Sequence, residues 1–432
     1  MKNYILTDHA RIIDLSLFLM VFVSPLMVLQ LFDKELFLWF QIVFAVFFAI
    51  RFQKIKIIKH PIIILLFLEP FISGIIAIFS SMPLMYKKTA VNLAIMAMPL
   101  YFAICCIAKM ISKGYHAVEI IVNAIKCVIL IEIVWFIVQL ASYRLAGMDI
   151  NEIVFVDTLH MVSNASFIRS WVWYPSGLSW HSAVLAPLFV MGILFFDSMI
   201  IRGVILLEAF LCGNSTTLLG CLFCIVLLVI NALYTRKCKI RKKQLCVFLT
   251  FIAICFLLVL TTDLGEKLSS VLANLWTRLF GAEKDASTEA HLGYYSDYFK
   301  IVKMSSIFQI LFGYGIGCSG YTISSMYGRY LDGGTWAIEC DYVNIIVSRG
   351  VIGFAIYYLF LLRIMIKGYR IDHRYGIFVL TLLFQGFGYN IQFDYLLLVE
   401  LIMYILISKR MNFFTYVDKL KRRGKSVPCI LE

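Results

Sequence analysis

Apolar residues run through this chain in blocks of about 14 to 24 positions, separated by short clusters of Lys, Arg, Gly and Pro. Within a block they show neither a single helical stripe nor strict alternation, so each block is an element apolar all round. Ile12 to Leu31, Ala117 to Leu140 and Val343 to Ile366 are long enough, as helices, to cross a hydrocarbon core of about 30 Å. A backbone in lipid must satisfy its own hydrogen bonds, which selects α-helices. The pattern predicts about twelve spans, at 12–31, 36–50, 62–79, 89–108, 117–140, 183–196, 199–213, 214–233, 244–261, 343–366, 375–388 and 395–408. The expected fold is all-α, with residues 1–432 forming a single transmembrane domain.

Two stretches depart from this rhythm, one from about 141 to 182 and a larger one from about 262 to 342. The larger holds Arg278, His291, Arg329, Glu339 and Asp341. Polar residues inserted into a membrane chain mark the part that meets solvent or substrate, and chemistry is expected there.

Composition strengthens the class: 62% of residues are hydrophobic, 15% are charged and the mean hydropathy is +0.89. The net charge of +13 would suit nucleic acid, but its distribution points elsewhere. With an even number of spans and a cytoplasmic N-terminus, the segments left inside hold 25 of the 39 Lys and Arg. The positive-inside rule then places both termini in the cytoplasm and both polar stretches outside, as one medium and one large extracytoplasmic loop. Arg236-Lys237-Cys238-Lys239-Ile240-Arg241-Lys242-Lys243 is the firmest pin. The basic residues are read as orientation signals and lipid-headgroup contacts, with no nucleic-acid partner. Inner loops this short hold no nucleotide-binding domain, so any activated substrate must arrive through the membrane or from outside. The first apolar run lacks a small-residue cleavage site and reads as an uncleaved helix.

Ten of the twelve cysteines fall in spans or inner segments, where Cys acts as a small apolar residue. Cys318 and Cys340 lie in the large outer stretch, as one disulfide or two free thiols. No ligand cluster with metal spacing is evident in the outer stretches, and the sequence calls for no metal and no cofactor.

The first outer stretch ends in Arg169-Ser-Trp-Val-Trp-Tyr-Pro-Ser-Gly-Leu-Ser-Trp-His181. Trp171, Trp173 and their neighbours form either an interfacial aromatic belt or a platform for sugar rings. Arg169 brings a rigid fork of donors suited to phosphate, or merely anchors the loop at headgroups. The second contains Trp276-Thr-Arg278, Ser287-Thr-Glu-Ala-His291, Phe312-Gly-Tyr-Gly-Ile-Gly317 and Glu339-Cys-Asp341-Tyr-Val-Asn344, leading to Arg349-Gly350-Val-Ile-Gly353. Gly315-x-Gly317-x-x-Gly320 matches the dinucleotide fingerprint literally but lacks its strand–turn–helix frame. These glycines suit a tight turn or a close approach of backbone to a ligand. Glu339 and Asp341 are either a proton-accepting pair or N-terminal helix carboxylates. His291 can equally be a surface or packing residue. Arg349, just inside a span, needs a polar cavity.

The glycine-rich "FGYGIG" string, an acidic residue near Asn344 and the "GVIGF" helix entry together resemble the O-antigen polymerase and ligase superfamily. The local likeness lies mainly in 276–360, with a weaker echo at 169–187. The resemblance implies an integral-membrane glycosyltransferase of the bacterial inner (plasma) membrane, acting on undecaprenyl-pyrophosphate-linked glycan repeat units, with a chain-length regulator as a further partner. By that resemblance Arg169 and Arg278 hold the pyrophosphate, His291 stands where many members carry another Arg, and Glu339 or Asp341 occupies the neighbourhood of the ligase branch's His. The absence of that His favours a polymerase over a ligase. Arg329, Arg349, Trp171, Trp173, His181 and Asn344 complete the expected glycan and pyrophosphate contacts. Glu69, Glu132 and Glu208, inside spans, support a different class, a flippase or other secondary transporter. No internal repeat supports that class, and a membrane scaffold is the third reading.

Overall fold

The computed structural model describes residues 8–23, 25, 30–31, 34–52, 58–112, 116–158, 167–169, 172–175, 177–178, 182–212, 214–234, 286–326, 338, 340–388 and 394–414. Its helices are α1 (Asp8–Val23), α2 (Leu36–Phe52), α3 (Pro61–Phe79), α4 (Leu84–Ser112), α5 (Ala117–Ala146), α6 (Ser182–Phe195), α7 (Met199–Leu211), α8 (Ser215–Tyr234), α9 (Ala286–Met304), α10 (Ile307–Phe312), α11 (Ser319–Met326), α12 (Asp341–Tyr369), α13 (His373–Gln385) and α14 (Asp394–Ser408). A π-helical turn spans Glu152–Thr158. Two small antiparallel ribbons complete the described elements: β1 (Gln30–Leu31) with β2 (Lys34–Glu35), and β3 (Phe167–Arg169) with β4 (Val172–Tyr174). The all-α expectation therefore holds apart from these ribbons.

Eleven of the twelve expected spans overlap helices, and 244–261 lies outside the described residues. Five described helices are long and apolar enough to cross a membrane: Pro61–Phe79, Leu84–Ser112, Ala117–Ala146, Thr216–Tyr234 and Asp341–Tyr369. The expected span 12–31 is shorter than its apolar run, because α1 ends at Val23 and Gln30–Leu31 pairs with Lys34–Glu35. Pro25 disfavours helix at the residue before it and removes a donor. Helices α6 and α7, of 14 and 13 residues, reach only about 20 Å each and do not cross a full core alone.

Helix α6 is buried along its length from Leu185 to Phe195. The second half of α12 and helix α14 run parallel, since Tyr357 meets Glu400 and Phe360 meets Tyr404. Basic residues gather at one end, where Arg363 meets His60 at 3.3 Å and Lys367, Arg370 and Arg374 flank the α12–α13 turn. Asp372 locks that end. It caps α13 through the Arg374 N–H at 2.9 Å, takes the Arg374 guanidinium at 2.8 Å and accepts from Asn412 at 2.7 Å. Arg374 in turn donates to the Leu194 carbonyl at the end of α6. Burial alone would raise the Asp372 carboxyl, but these hydrogen bonds and the Arg374 charge outweigh it and hold it below the usual carboxylate range.

Candidate functional site at a broken membrane helix

Helix α12 is not continuous. Gly350 has φ 67° and ψ −175°, which divides the helix into a first arm, 341–349, and a second, 351–369. The Tyr358 hydroxyl donates to Asp341 Oδ2 at 2.7 Å, although 17 residues of straight helix would separate them by about 25 Å. The Tyr342 and Tyr358 rings stack at 5.2 Å. The arms thus fold back beside each other as a hairpin whose tip is Gly350. This corrects the expected uninterrupted span at 343–366; only the second arm, about 28 Å long, has the length of a crossing.

The break exposes carbonyls that lipid cannot satisfy. The Tyr314 and Gly315 N–H groups donate to the Val347 and Ser348 carbonyls, each at 2.9 Å, and the Ser73 hydroxyl adds a bond to Ser348 at 3.3 Å. Contact is backbone to backbone: a Cβ at Gly350 would overlap the Leu311 carbonyl, and one at Gly313 would overlap Ser348. The glycines of Phe312-Gly-Tyr-Gly-Ile-Gly317 thus bring backbone close to the broken helix, where the sequence suggests a turn or an approach to a ligand. The string joins α10 to α11, a frame unlike the strand–turn–helix of a dinucleotide site.

Arg349, the last residue before the tip, projects from the break. Its Nη1 lies 3.3 Å from Glu69 Oε2 on α3, and both side chains are largely buried, at 18% and 9% exposure. Glu69 Oε1 has no hydrogen-bond partner. The pair sits in an open cleft whose remaining walls include Leu65, Leu68, Ile72, Phe312, Ile352 and Ile356. Leu65, Leu68, Ile72 and Ile352 are exposed at its rim. An apolar cleft open along a membrane helix, with a guanidinium at its back, has the chemistry to hold a lipid that carries an anionic group.

Asp341 begins the first arm and is fully buried, its backbone N–H donating to the Gly386 carbonyl at 3.0 Å. Eight residues of helix put it about 12 Å from Arg349, at the opposite end of the arm. It neighbours a second buried acid, Glu400, which accepts from the Tyr357 hydroxyl at 3.3 Å and feels the Asp341 charge. Asn344 accepts from the Ser319 hydroxyl, joining α11 to the first arm. Cys318 and Cys340 are free thiols in separate packing clusters. Burial pushes the Cys318 thiol up to about 12, so it is no ready nucleophile.

The end of the first outer stretch enters the bundle. Pro175 and Gly177 are buried, and side chains of α5 and the following turn hold this backbone. Gln139 accepts from the Gly177 N–H at 3.0 Å, Glu132 from the Leu178 N–H at 3.0 Å, and Asn151 donates to the Gly177 carbonyl at 2.8 Å. Gly177 has φ 65°, and a Cβ there would overlap the Glu132 carboxylate.

Of Arg169, Trp173 and His291 the structure describes the backbone alone, in β3, β4 and α9. Arg278, Arg329, Glu339, Trp171 and His181 lie outside the described residues. Asp341, Asn344 and Arg349 share the first arm. Sequence reasoning left Glu69 as an unexplained membrane carboxylate and overlooked Glu400. The signal for Glu69 was its lone charge within a span, which demands a counter-charge that Arg349, equally isolated, supplies. No family profile matches the chain, and a search of curated proteins finds no match either.

Proposed function

We propose that this chain is a membrane glycosyltransferase that polymerises lipid-linked oligosaccharide repeat units, on the face of a bacterial plasma membrane opposite its basic end. The observation that carries the reading is the lipid-facing cleft that ends in the Arg349–Glu69 pair. The cleft takes part of the polyprenyl tail, and the guanidinium holds the pyrophosphate by a forked charge-assisted contact. The acceptor sugar's hydroxyl attacks the donor's anomeric carbon and forms the glycosidic bond. The bond from that carbon to the phosphate oxygen breaks, and polyprenyl pyrophosphate departs with the electron pair. Arg349 stabilises the charge on the leaving group. Glu69, through its unpartnered Oε1, receives the hydroxyl proton. Arg169 and Arg278 belong to the same proposal as further phosphate contacts, and Asp341 and Glu339 as further carboxylates.

A second reading, an ion-coupled carrier of the same glycans, is favoured by the buried acids Glu132, Glu208, Asp341 and Glu400. Electrophoresis of the surface glycan separates the two. Cells carrying Arg349→Ala at normal membrane abundance should show glycan stopped at one repeat unit. Complete loss of surface glycan would favour the carrier, and a normal ladder would remove Arg349 from the chemistry.

A further inference from the structure

Helices α5 and α7 run parallel, both leading away from the basic end. Lys126 of α5 lies 5.7 Å over the Phe196 ring, and α7 starts just beyond that ring at Met199. Gly192 of α6 lets them converge, since a Cβ there would stand 2.7 Å from Ile205 Cδ1 and 3.3 Å from Ile129 Cγ2. One turn further along each helix, on the same faces, stand Glu208 and Glu132. Both are buried, Glu132 at 0% and Glu208 at 2% exposure, and their carboxyls act on each other electrostatically.

Their surroundings do not neutralise them equally. Glu132 accepts the Leu178 N–H, whereas neither carboxyl oxygen of Glu208 has a hydrogen-bond partner. Glu208 also lies in the last turn of α7, where the helix dipole presents its negative end and a carboxylate has the wrong sign. Among the described residues, the titratable groups that face it are Glu132 from α5 and the Cys212 thiol at the end of α7. Arg202, on the same helix, is turned to Asp197 and the Ile193 carbonyl near the basic end. Two adjacent carboxylates at a helix carbonyl end, away from water, cannot both stay ionised without a positive charge between them. In membrane proteins the carbonyl ends of half-helices coordinate Na⁺ and H⁺, and buried carboxylates mark ion and proton paths.

We infer that Glu208 and Glu132 form a binding site for one monovalent cation, a sodium ion or a proton, at the carbonyl end of α7. The site is separate from the Arg349 cleft and does not depend on glycosyl transfer.

The full-length protein in detergent tests this by thermal unfolding, in sodium chloride against N-methylglucamine chloride at constant ionic strength, and across neutral pH without sodium. A sodium occupant raises the Tm by several degrees on adding sodium. A proton occupant instead raises it as pH falls, with sodium inert. In either case Glu208→Gln, which removes the charge at constant shape, abolishes the response and melts at least as high as the wild type. Glu132→Gln, which keeps an acceptor for the Leu178 N–H, also loses the response. A wild type indifferent to both cations, a Glu208→Gln protein with an unchanged response, or one that fails to fold overturns the inference.

Discussion

Arg349 and Glu69 are two charges that lipid makes costly alone and tolerable together. Their loss should not be symmetrical. A carboxylate left unpaired can take up a proton, whereas a guanidinium stays charged. Glu69→Ala should therefore cost about 3–5 kcal/mol of stability and Arg349→Ala less, as read by thermal unfolding in detergent. The reverse order would show that the pair is not the buried contact described. Glu132 makes a similar case: Glu132→Ala leaves the half-buried Leu178 N–H without its acceptor and should cost about 1 kcal/mol. Such residues were visible in the sequence as charges in the wrong solvent. Their partners were not, because Glu69 and Arg349 are far apart in the chain and no local pattern links them.

At the scale of elements, the sequence spoke clearly wherever a helix needed only lipid around it. Pro61–Phe79 and Ala117–Ala146 emerge close to their apolar runs. It spoke poorly where an apolar run bends. Val343 to Ile366 is as hydrophobic as a straight span, yet Gly350 turns it back on itself, and hydropathy carries no information on φ. The glycine string 312–317 held the clue, since its bonds to Val347 and Ser348 make the break affordable in lipid. Gly350→Ala should cost at least the 1–3 kcal/mol or so of a backbone conformation that essentially only glycine adopts, with more from overlap with Leu311. Gly293→Ala on α9, where a Cβ meets nothing within 4 Å, should leave the Tm unchanged or raise it slightly. Equal melting of the two variants would contradict the hairpin.

Across the whole molecule, charge and depth are arranged on one axis. The basic end is tied through Asp372, whose carboxyl titrates lower in the folded chain than in the unfolded one. Its stabilising effect is thus complete above the ordinary carboxylate value of about 4 and is lost as pH falls through the lower folded value. Acid unfolding curves of wild type and Asp372→Asn should therefore differ at neutral pH and converge in strong acid. A gap that persists in strong acid would detach Asp372 from this role. Away from the basic end the bundle buries the acids Glu132, Glu208, Asp341 and Glu400. The placing of the candidate residues was legible in part: Asp341, Asn344 and Arg349 do share one short helix, but Arg349 meets Glu69 and not Asp341, since tertiary packing alone decides which carboxylate faces it. The central claim, polymerisation of lipid-linked repeat units, is tested most directly by deleting the gene and resolving the cell's surface glycan by size. The account predicts glycan capped at a single repeat unit, restored to a ladder by the wild-type gene; a full ladder in the deletion strain would contradict it.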